Sequence, residues 1–367
     1  MEFRHGLESR TPELQARRTR SGGSGGASSR GFRMKGLEIF LSLPTLLLMM
    51  ALTLSTGQSV VRAQLLVDYY ASSCPRAESI VTAAVQAATA ADQVMPAKLV
   101  RLLFHDCFVN GCDGSILIDP SANNTSPEKT DPANASVDGY AVIDAAKATL
   151  ETVCPGTVSC ADIVALAAQD AVLLTGGPPV RIPTGRRDGL VSLASQVQGS
   201  VPLPTSDLTT MMAMFQSKGL NINDLVILAG AHTIGTAHCS SINNRITYAA
   251  NGSVTVDPTL APTFAQKLMS ACPQSGPATD TVPIDPFTPL TFDTQYYVGL
   301  QDGEGLLTSD EVLFTDPRTR NLINTFATNQ VVFFENWGPS FVAMGGIQVL
   351  TGTSGEIRTN CRKFNNG

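Results

Sequence analysis

The sequence predicts a mostly α-helical protein, on three observations. Runs of Ala, Leu, Val and Ile recur at helical spacing along most of the chain. Apolar residues make up 43% of the 367 residues and charged residues only 15%, so long stretches can be buried. Strand signals are weak and short, around 180–182 and 357–359. The apolar periodicity places helices over 76–91, 97–108, 140–153, 160–175, 208–218, 224–229, 237–246, 262–271, 294–301, 317–328 and 331–343. Breakers separate them: Gly176-Gly-Pro-Pro179, Pro202-Leu-Pro204 and the Gly/Pro-rich stretch 273–289. Gly338-Pro339 falls inside the last helix and is expected to kink or unwind it. The stretch 197–206 reads as a link between an N-terminal and a C-terminal helical half, and ligands commonly lodge between such halves. There is no internal repeat and no nucleotide-binding glycine fingerprint.

The N-terminal region reads as targeting sequence. Residues 39–54 form an apolar run of 16 residues, shorter than the roughly 20 that cross a bilayer. Lys35 precedes it, and Val61-Arg-Ala63 follows with small residues at cleavage spacing. The expectation is a secretory signal peptide over 34–63, cleaved after Ala63. Residues 1–33 carry seven arginines, three glutamates and a Gly/Ser run over 21–29. They read as an upstream extension outside the mature protein, with Met34 the true start; a transit peptide is the alternative. Loss of residues 1–63 removes nine of 25 basic and four of 31 acidic residues, leaving 16 and 27, a net of −11. No basic patch points to nucleic acid or to a membrane surface, and no second apolar span follows the first.

All eight cysteines follow the targeting segment: Cys74, Cys107, Cys112, Cys154, Cys160, Cys239, Cys272 and Cys361. An even number in an exported chain reads as four disulfides, with 105 connectivities open to sequence alone. No Cys-x-x-Cys pair is present, which argues against a zinc ribbon or a thioredoxin-like site.

Chemistry concentrates in two runs. In Arg101-Leu-Leu-Phe104-His105-Asp106-Cys107, an arginine and a histidine stand four residues apart in a helical pattern, so both face the same way. Cleavage of a peroxide O–O bond needs such a pair: the imidazole moves a proton between the oxygens and the cation stabilises developing charge. The second run, Leu228-Ala-Gly-Ala-His232-Thr233, offers a histidine that could serve as a proximal haem ligand. The other histidines are His5, upstream of the targeting segment, and His238, which has no partner motif and reads as a surface or packing residue.

These runs, with Asn110-Gly-Cys-Asp-Gly-Ser115, Val158-Ser-Cys-Ala-Asp162, Gly185-Arg-Arg-Asp188 and the eight cysteines, make residues 64–367 resemble the class III secretory plant peroxidases, the horseradish peroxidase family. Fungal and intracellular peroxidases share the two histidines but not this cysteine pattern. The resemblance implies two all-α halves, a distal one over about 64–206 and a proximal one over about 207–350, with haem b between them and a C-terminal segment tied back by Cys361. It implies a secreted monomer, in the apoplast or cell wall, that reduces hydrogen peroxide while oxidising phenolic or related aromatic donors by one-electron steps. The implied catalytic set is Arg101, His105, Asn134 and Asp310. His105 would be the distal acid–base group and Asn134 the acceptor for its other nitrogen. His232 would be the iron ligand, with Asp310 taking its N–H. Phe104 would pack over the haem, and Pro202 would line the donor site.

The resemblance also implies two calcium ions. Asp106, Val109, Gly111, Asp113 and Ser115 match the distal site, with Glu128 reaching it through water. Thr233, Asp285, Thr288, Thr291 and Asp293 match the proximal site. Both sets offer hard oxygen ligands, as calcium prefers. The implied disulfides are Cys74–Cys154, Cys107–Cys112, Cys160–Cys361 and Cys239–Cys272.

Several positions depart from the family's habit. Ile284 stands where an aromatic often lies beside the proximal histidine, Val180 replaces a frequent tryptophan, and no aromatic accompanies Pro202. Arg186, Arg187 and Asp188 read as structural ion-pairing residues and Asp162 as a buried hydrogen-bond anchor. Sequons begin at Asn123, Asn124, Asn134 and Asn251; a glycan on Asn134 would be incompatible with a place in the haem pocket. The other function class consistent with this sequence is a catalytically silent, calcium-dependent cell-wall protein on the same scaffold, against which the intact catalytic set argues.

Overall fold

The computed structural model describes residues 65–277 and 279–366; the expected upstream extension and signal peptide lie outside these residues. Eleven α-helices occur among the described residues, in this order: α1 Ala77–Ala91, α2 Met95–Val109, α3 Tyr140–Val153, α4 Cys160–Leu174, α5 Leu208–Ser217, α6 Ile222–Ala229, α7 Pro262–Ala271, α8 Gln295–Gln301, α9 Thr308–Thr315, α10 Pro317–Thr328 and α11 Gln330–Gly345. Short strands β1 Thr236–His238, β2 Ile246–Tyr248, β3 Val254–Val256 and β4 Thr281–Pro283 pair antiparallel as β1–β4 and β2–β3. The all-α expectation holds.

Sequence explains most of these helices locally. In α1 the buried residues Ala77, Ile80, Val81 and Val85 make one apolar stripe. Pro96 sits in the first turn of α2, where its missing N–H costs nothing. Ser159 caps α4 by accepting from the Asp162 N–H, and Asn221 with Asp224 forms a capping box on α6. Helices α2 and α4 are apolar on most faces and pack against each other in the main core. A smaller core forms around Ile242, Ile246, Phe264 and Leu268, and Ile284 packs on it.

Three expectations are corrected. Residues 237–246 do not form a helix: they make β1, a 3-10 turn over Cys239–Ile242 and the start of β2. The reason is tertiary, because Thr236–His238 pairs with Thr281–Pro283 and Cys239 is bonded to Cys272. The expected strands at 180–182 and 357–359 are not strands; extended chain nearby makes single bridges instead, Leu66 with Thr184, Arg187 with Leu350 and Asp188 with Glu356. Gly338-Pro339 does not unwind the last helix, which runs unbroken over Gln330–Gly345. Pro339 and Glu335, whose carbonyl loses its partner, both lie on the exposed face, so water can satisfy the freed oxygen. Helix α9 was not anticipated at all.

The disulfides are Cys74–Cys154, Cys107–Cys112, Cys160–Cys361 and Cys239–Cys272, the pairing that the resemblance implies. Buried charge ties the same region together. Asp162 is fully buried and accepts from Tyr70 Oη at 2.7 Å, from the Gly185 and Arg186 N–H groups, and from Arg186 Nη1 at 2.7 Å. Arg186 reaches on to the Gly345 carbonyl. Asp188 accepts from the Ala161 and Arg358 N–H groups. The structural reading of Arg186, Asp188 and Asp162 therefore holds. No described helix is long and apolar enough to cross a membrane.

Replacing Asp162 with Ala leaves the Arg186 guanidinium buried beside a cavity. The expected cost is about 3–5 kcal/mol of unfolding free energy, read from the midpoint and slope of a denaturant titration with disulfides intact.

Candidate active site

Helix α2 places Arg101 and His105 one turn apart, with Phe104 between them. His105 is buried, and its Nδ1 lies 2.7 Å from Asn134 Oδ1. Asn134 ends a 3-10 turn, Pro132–Asn134, that Asp131 caps. Its Nδ2 donates to the Glu128 carbonyl at 2.9 Å, which fixes the amide with Oδ1 toward the imidazole. Nδ1 of His105 is therefore the protonated nitrogen, and Nε2 keeps its lone pair. Burial, then the Arg101 charge, pushes the His105 pKa down to about 3 against the opposing pull of Asn134. The ring is a neutral base at ordinary pH. Phe104 stands edge-on to His105, with ring centroids 5.5 Å apart, and is half-buried.

His232 lies on the 3-10 turn Gly230–Thr233 that follows α6. Its Nδ1 is 2.7 Å from Asp310 Oδ1, and a carboxylate only accepts, so this ring too has its free lone pair on Nε2. Asp310 sits in the first turn of α9 and also accepts the Leu307 N–H at 3.3 Å. Gly230 must be glycine: a Cβ there would lie 2.4 Å from Tyr297 Oη and 2.7 Å from the Phe333 ring. Burial opposes protonation of His232, but the Asp310 charge and hydrogen bond outweigh it and raise the pKa.

The surroundings of His232 define the space in front of it. The ring is deep enough in the protein to be strongly desolvated, yet 38% of its side-chain surface remains accessible. Part of the ring therefore faces accessible space. Arg101 depresses both His105 and His232 through its charge, so the three share one neighbourhood. Burial lowers the Arg101 pKa and no carboxylate offsets it. A metal macrocycle with acidic edges suits the chemistry of this donor set: two imidazoles, each with Nε2 unengaged, and a cation that no carboxylate neutralises. Two surface grooves, of about 500 Å³ by Asp207 and Arg318 and about 380 Å³ by Arg76 and Ile80, contain neither histidine.

Part of each expected calcium set comes together. On the distal side Asp106 Oδ2 accepts the Gly114 N–H at 2.9 Å, and Asp113 Oδ1 accepts the Ser115 N–H at 2.9 Å. Glu128 Oε1 accepts from Asn110. Ser115 Oγ and Glu128 Oε2 are buried without a hydrogen-bond partner. Burial and mutual repulsion push Asp106 up to about 8 and Glu128 up to about 9, and burial raises Asp113. A cluster short of positive charge suits a hard cation. The Val109 carbonyl accepts from Lys218 Nζ at 2.9 Å, a neighbour that sequence reasoning missed. Gly111, at φ 105°, lies where a Cβ would meet Gln348 at 2.7 Å.

On the proximal side the Thr233 hydroxyl faces Asp285 Oδ2 at 3.0 Å and Asp293 Oδ1 at 3.2 Å, and the Thr291 carbonyl at 3.5 Å. The Thr288 hydroxyl faces the same two carboxylate oxygens at 3.3 and 3.2 Å. Two hydroxyl protons cannot serve all these acceptors, so this set too has oxygens to spare. Among the described residues no group of three His, Cys, Asp or Glu forms a metal cluster; each calcium set would instead combine two carboxylates with hydroxyl and carbonyl oxygens.

Other expected positions are placed less tellingly. Pro202 is half-buried beside Leu203, which is 51% exposed. Val180 packs at the core edge opposite Gly338. Asn134 is buried, Asn123 and Asn251 are exposed, and the Asn124 amide donates to the Ser192 carbonyl. Tyr296 was missed: its hydroxyl donates to Asp310 Oδ1 at 3.0 Å. No short-range pattern announced it, since the two residues lie on different helices.

A family model described as "Peroxidase" matches residues 81–329. Peroxidase 46 of Arabidopsis thaliana is 47% identical over 304 residues, covering 83% of this chain and 92% of its own length. Peroxidase 18 of the same plant is 46% identical over 336 residues, covering 91% and 98%. Peroxidase 5 of Vitis vinifera is 45% identical over 328 residues, covering 89% and 98%. With this likeness along most of its length and an all-α fold presenting two oriented histidines, the chain belongs to the class III plant peroxidases and is a haem peroxidase.

Proposed function

We propose that the mature protein, residues 64–367, is a secreted monomer that uses haem b and two calcium ions to reduce hydrogen peroxide at the expense of small aromatic donors. The observation that carries this reading is the matched orientation of the histidines. Each Nδ1 is engaged by an oxygen acceptor, at 2.7 Å in both cases, leaving each Nε2 free. His232 would hold the haem iron through Nε2, and Phe104 would pack against the haem face. The haem, when bound, would give up two electrons to hydrogen peroxide and regain them one at a time from two donor molecules.

The chain's own residues carry the proton work. His105 Nε2 takes the proton from the peroxide oxygen that binds, and delivers it to the oxygen that leaves as water. Asn134 holds the ring in the tautomer that allows both transfers. Arg101, unneutralised by any carboxylate, stabilises negative charge on the departing oxygen. Asp310 draws on the His232 N–H and makes that nitrogen ring a stronger donor. Pro202 would line the donor's approach. Calcium would be held by Asp106, Val109, Gly111, Asp113 and Ser115, with Glu128 through water, and by Thr233, Asp285, Thr288, Thr291 and Asp293. Asp106 follows His105 and Thr233 follows His232, so each ion would fix the backbone beside a histidine. Four disulfides support export to an oxidising compartment.

Replacing His105 with Ala should leave haem bound but slow the first spectral change after mixing with hydrogen peroxide by at least roughly 100-fold; stopped-flow absorbance measures it. Replacing His232 with Ala should act first on haem retention, seen as loss of Soret absorbance per protein. An unchanged Soret band and haem content would move the ligand role elsewhere.

Chelating calcium should lower activity before helicity. The ions do not touch peroxide, so their influence runs through placement of His105 and His232, which tolerates little movement. Calcium content, initial rate and far-UV circular dichroism on one chelated sample check this; full activity in a verified calcium-free sample would uncouple the sites from catalysis.

A further inference from the structure

We infer that Tyr296 is a positioning residue that sets how strongly Asp310 pulls on His232, because the tyrosine hydroxyl and the histidine Nδ1 share one carboxylate oxygen. Tyr296 Oη lies 3.0 Å from Asp310 Oδ1, and His232 Nδ1 lies 2.7 Å from the same atom. The other oxygen, Oδ2, accepts the Leu307 N–H at 3.3 Å. Oδ1 therefore receives two donors and Oδ2 one.

A carboxylate oxygen that accepts two hydrogen bonds divides its negative charge between them. The tyrosine proton thus withdraws charge that would otherwise strengthen the bond to His232. That bond decides how much imidazolate character the ring has, and so how much electron density its Nε2 offers a metal. Tyr296 limits this push while keeping the ring in place.

The surroundings support a tuning role. Tyr296 is 4% exposed, so water cannot replace its hydroxyl easily. Asp310 Oδ1 can only accept, so the tyrosine hydroxyl is the donor in this contact. Its ring meets His232 edge-on, with centroids 5.9 Å apart. Tyr297, next in sequence, points elsewhere and donates to the Val226 carbonyl at 3.0 Å. The contact to Asp310 is thus specific to one of two adjacent tyrosines.

This inference rests on His232 being the axial ligand, and the test separates the two. Haem-loaded wild type, Tyr296→Phe, Asp310→Asn and the double variant are compared. The readouts are the iron–histidine stretching band of the ferrous form by resonance Raman and the ferric/ferrous ratio in a redox titration. Phenylalanine keeps the ring packing and removes only the hydroxyl. Tyr296→Phe should raise the stretching frequency and move the ratio toward ferric at fixed potential by roughly threefold or more. On the Asp310→Asn background the same change should do almost nothing. If Tyr296→Phe fails to fold, site-specific 3-fluorotyrosine at 296, a stronger donor, should lower the frequency. A wild type without an iron–histidine band overturns the axial assignment and this inference with it. A wild type with the band, but unmoved by the phenylalanine or fluorotyrosine change, overturns this inference alone. So does a shift that persists at full size without Asp310.

Discussion

The buried pair of Asp162 and Arg186 is the constraint on which the rest of the structure depends. Neither side chain is exposed, and a buried charge persists only when paired and hydrogen-bonded. Asp162 meets that condition with donors from Tyr70, Gly185 and Arg186. Arg186 meets it with the Gly345 carbonyl at the end of α11. The pair therefore draws the N-terminal segment, the start of α4, the extended chain after Pro183 and the last helix to one place. Cys160–Cys361 and the Asp188–Arg358 contacts close the same region. Helix α4, anchored there, is the surface against which α2 packs with His105.

The same economy governs the two histidines. Each is held by a single acceptor on a separately capped element: Asn134 on a turn capped by Asp131, and Asp310 in the first turn of α9. Orientation thus comes from backbone that is fixed by its own hydrogen bonds, not from the imidazoles themselves. The difference between the acceptors matters. A neutral amide leaves His105 a base, whereas a carboxylate makes His232 a better donor. The pKa values of two rings of identical chemistry thus shift in opposite directions, His105 down and His232 up.

The oxygen clusters beside the histidines add a further layer. Asp106 and Thr233 each follow a histidine directly, and each sits among oxygens that outnumber the available protons. Such clusters are unfavourable without a cation and rigid with one. On the reading proposed above, ions held there would fix the backbone beside each histidine.

By itself the sequence determined the helical class, because apolar spacing in α1 to α4 is set by local periodicity and short-range caps. It placed Arg101 and His105 one turn apart, a spacing that any helix imposes. The pairing of the eight cysteines came from resemblance, because spacing leaves many connectivities open. Only the tertiary structure decided the segment 237–246, where pairing with 281–283 and a disulfide outweigh helical spacing. It decided that α11 runs through Pro339, because the freed carbonyl faces solvent, and that Arg358 serves Asp188 across 170 residues. It also placed Tyr296 on Asp310. These outcomes depend on which distant groups meet, and a one-dimensional pattern carries no record of such meetings, since each is settled by packing and by the need to satisfy buried polar atoms.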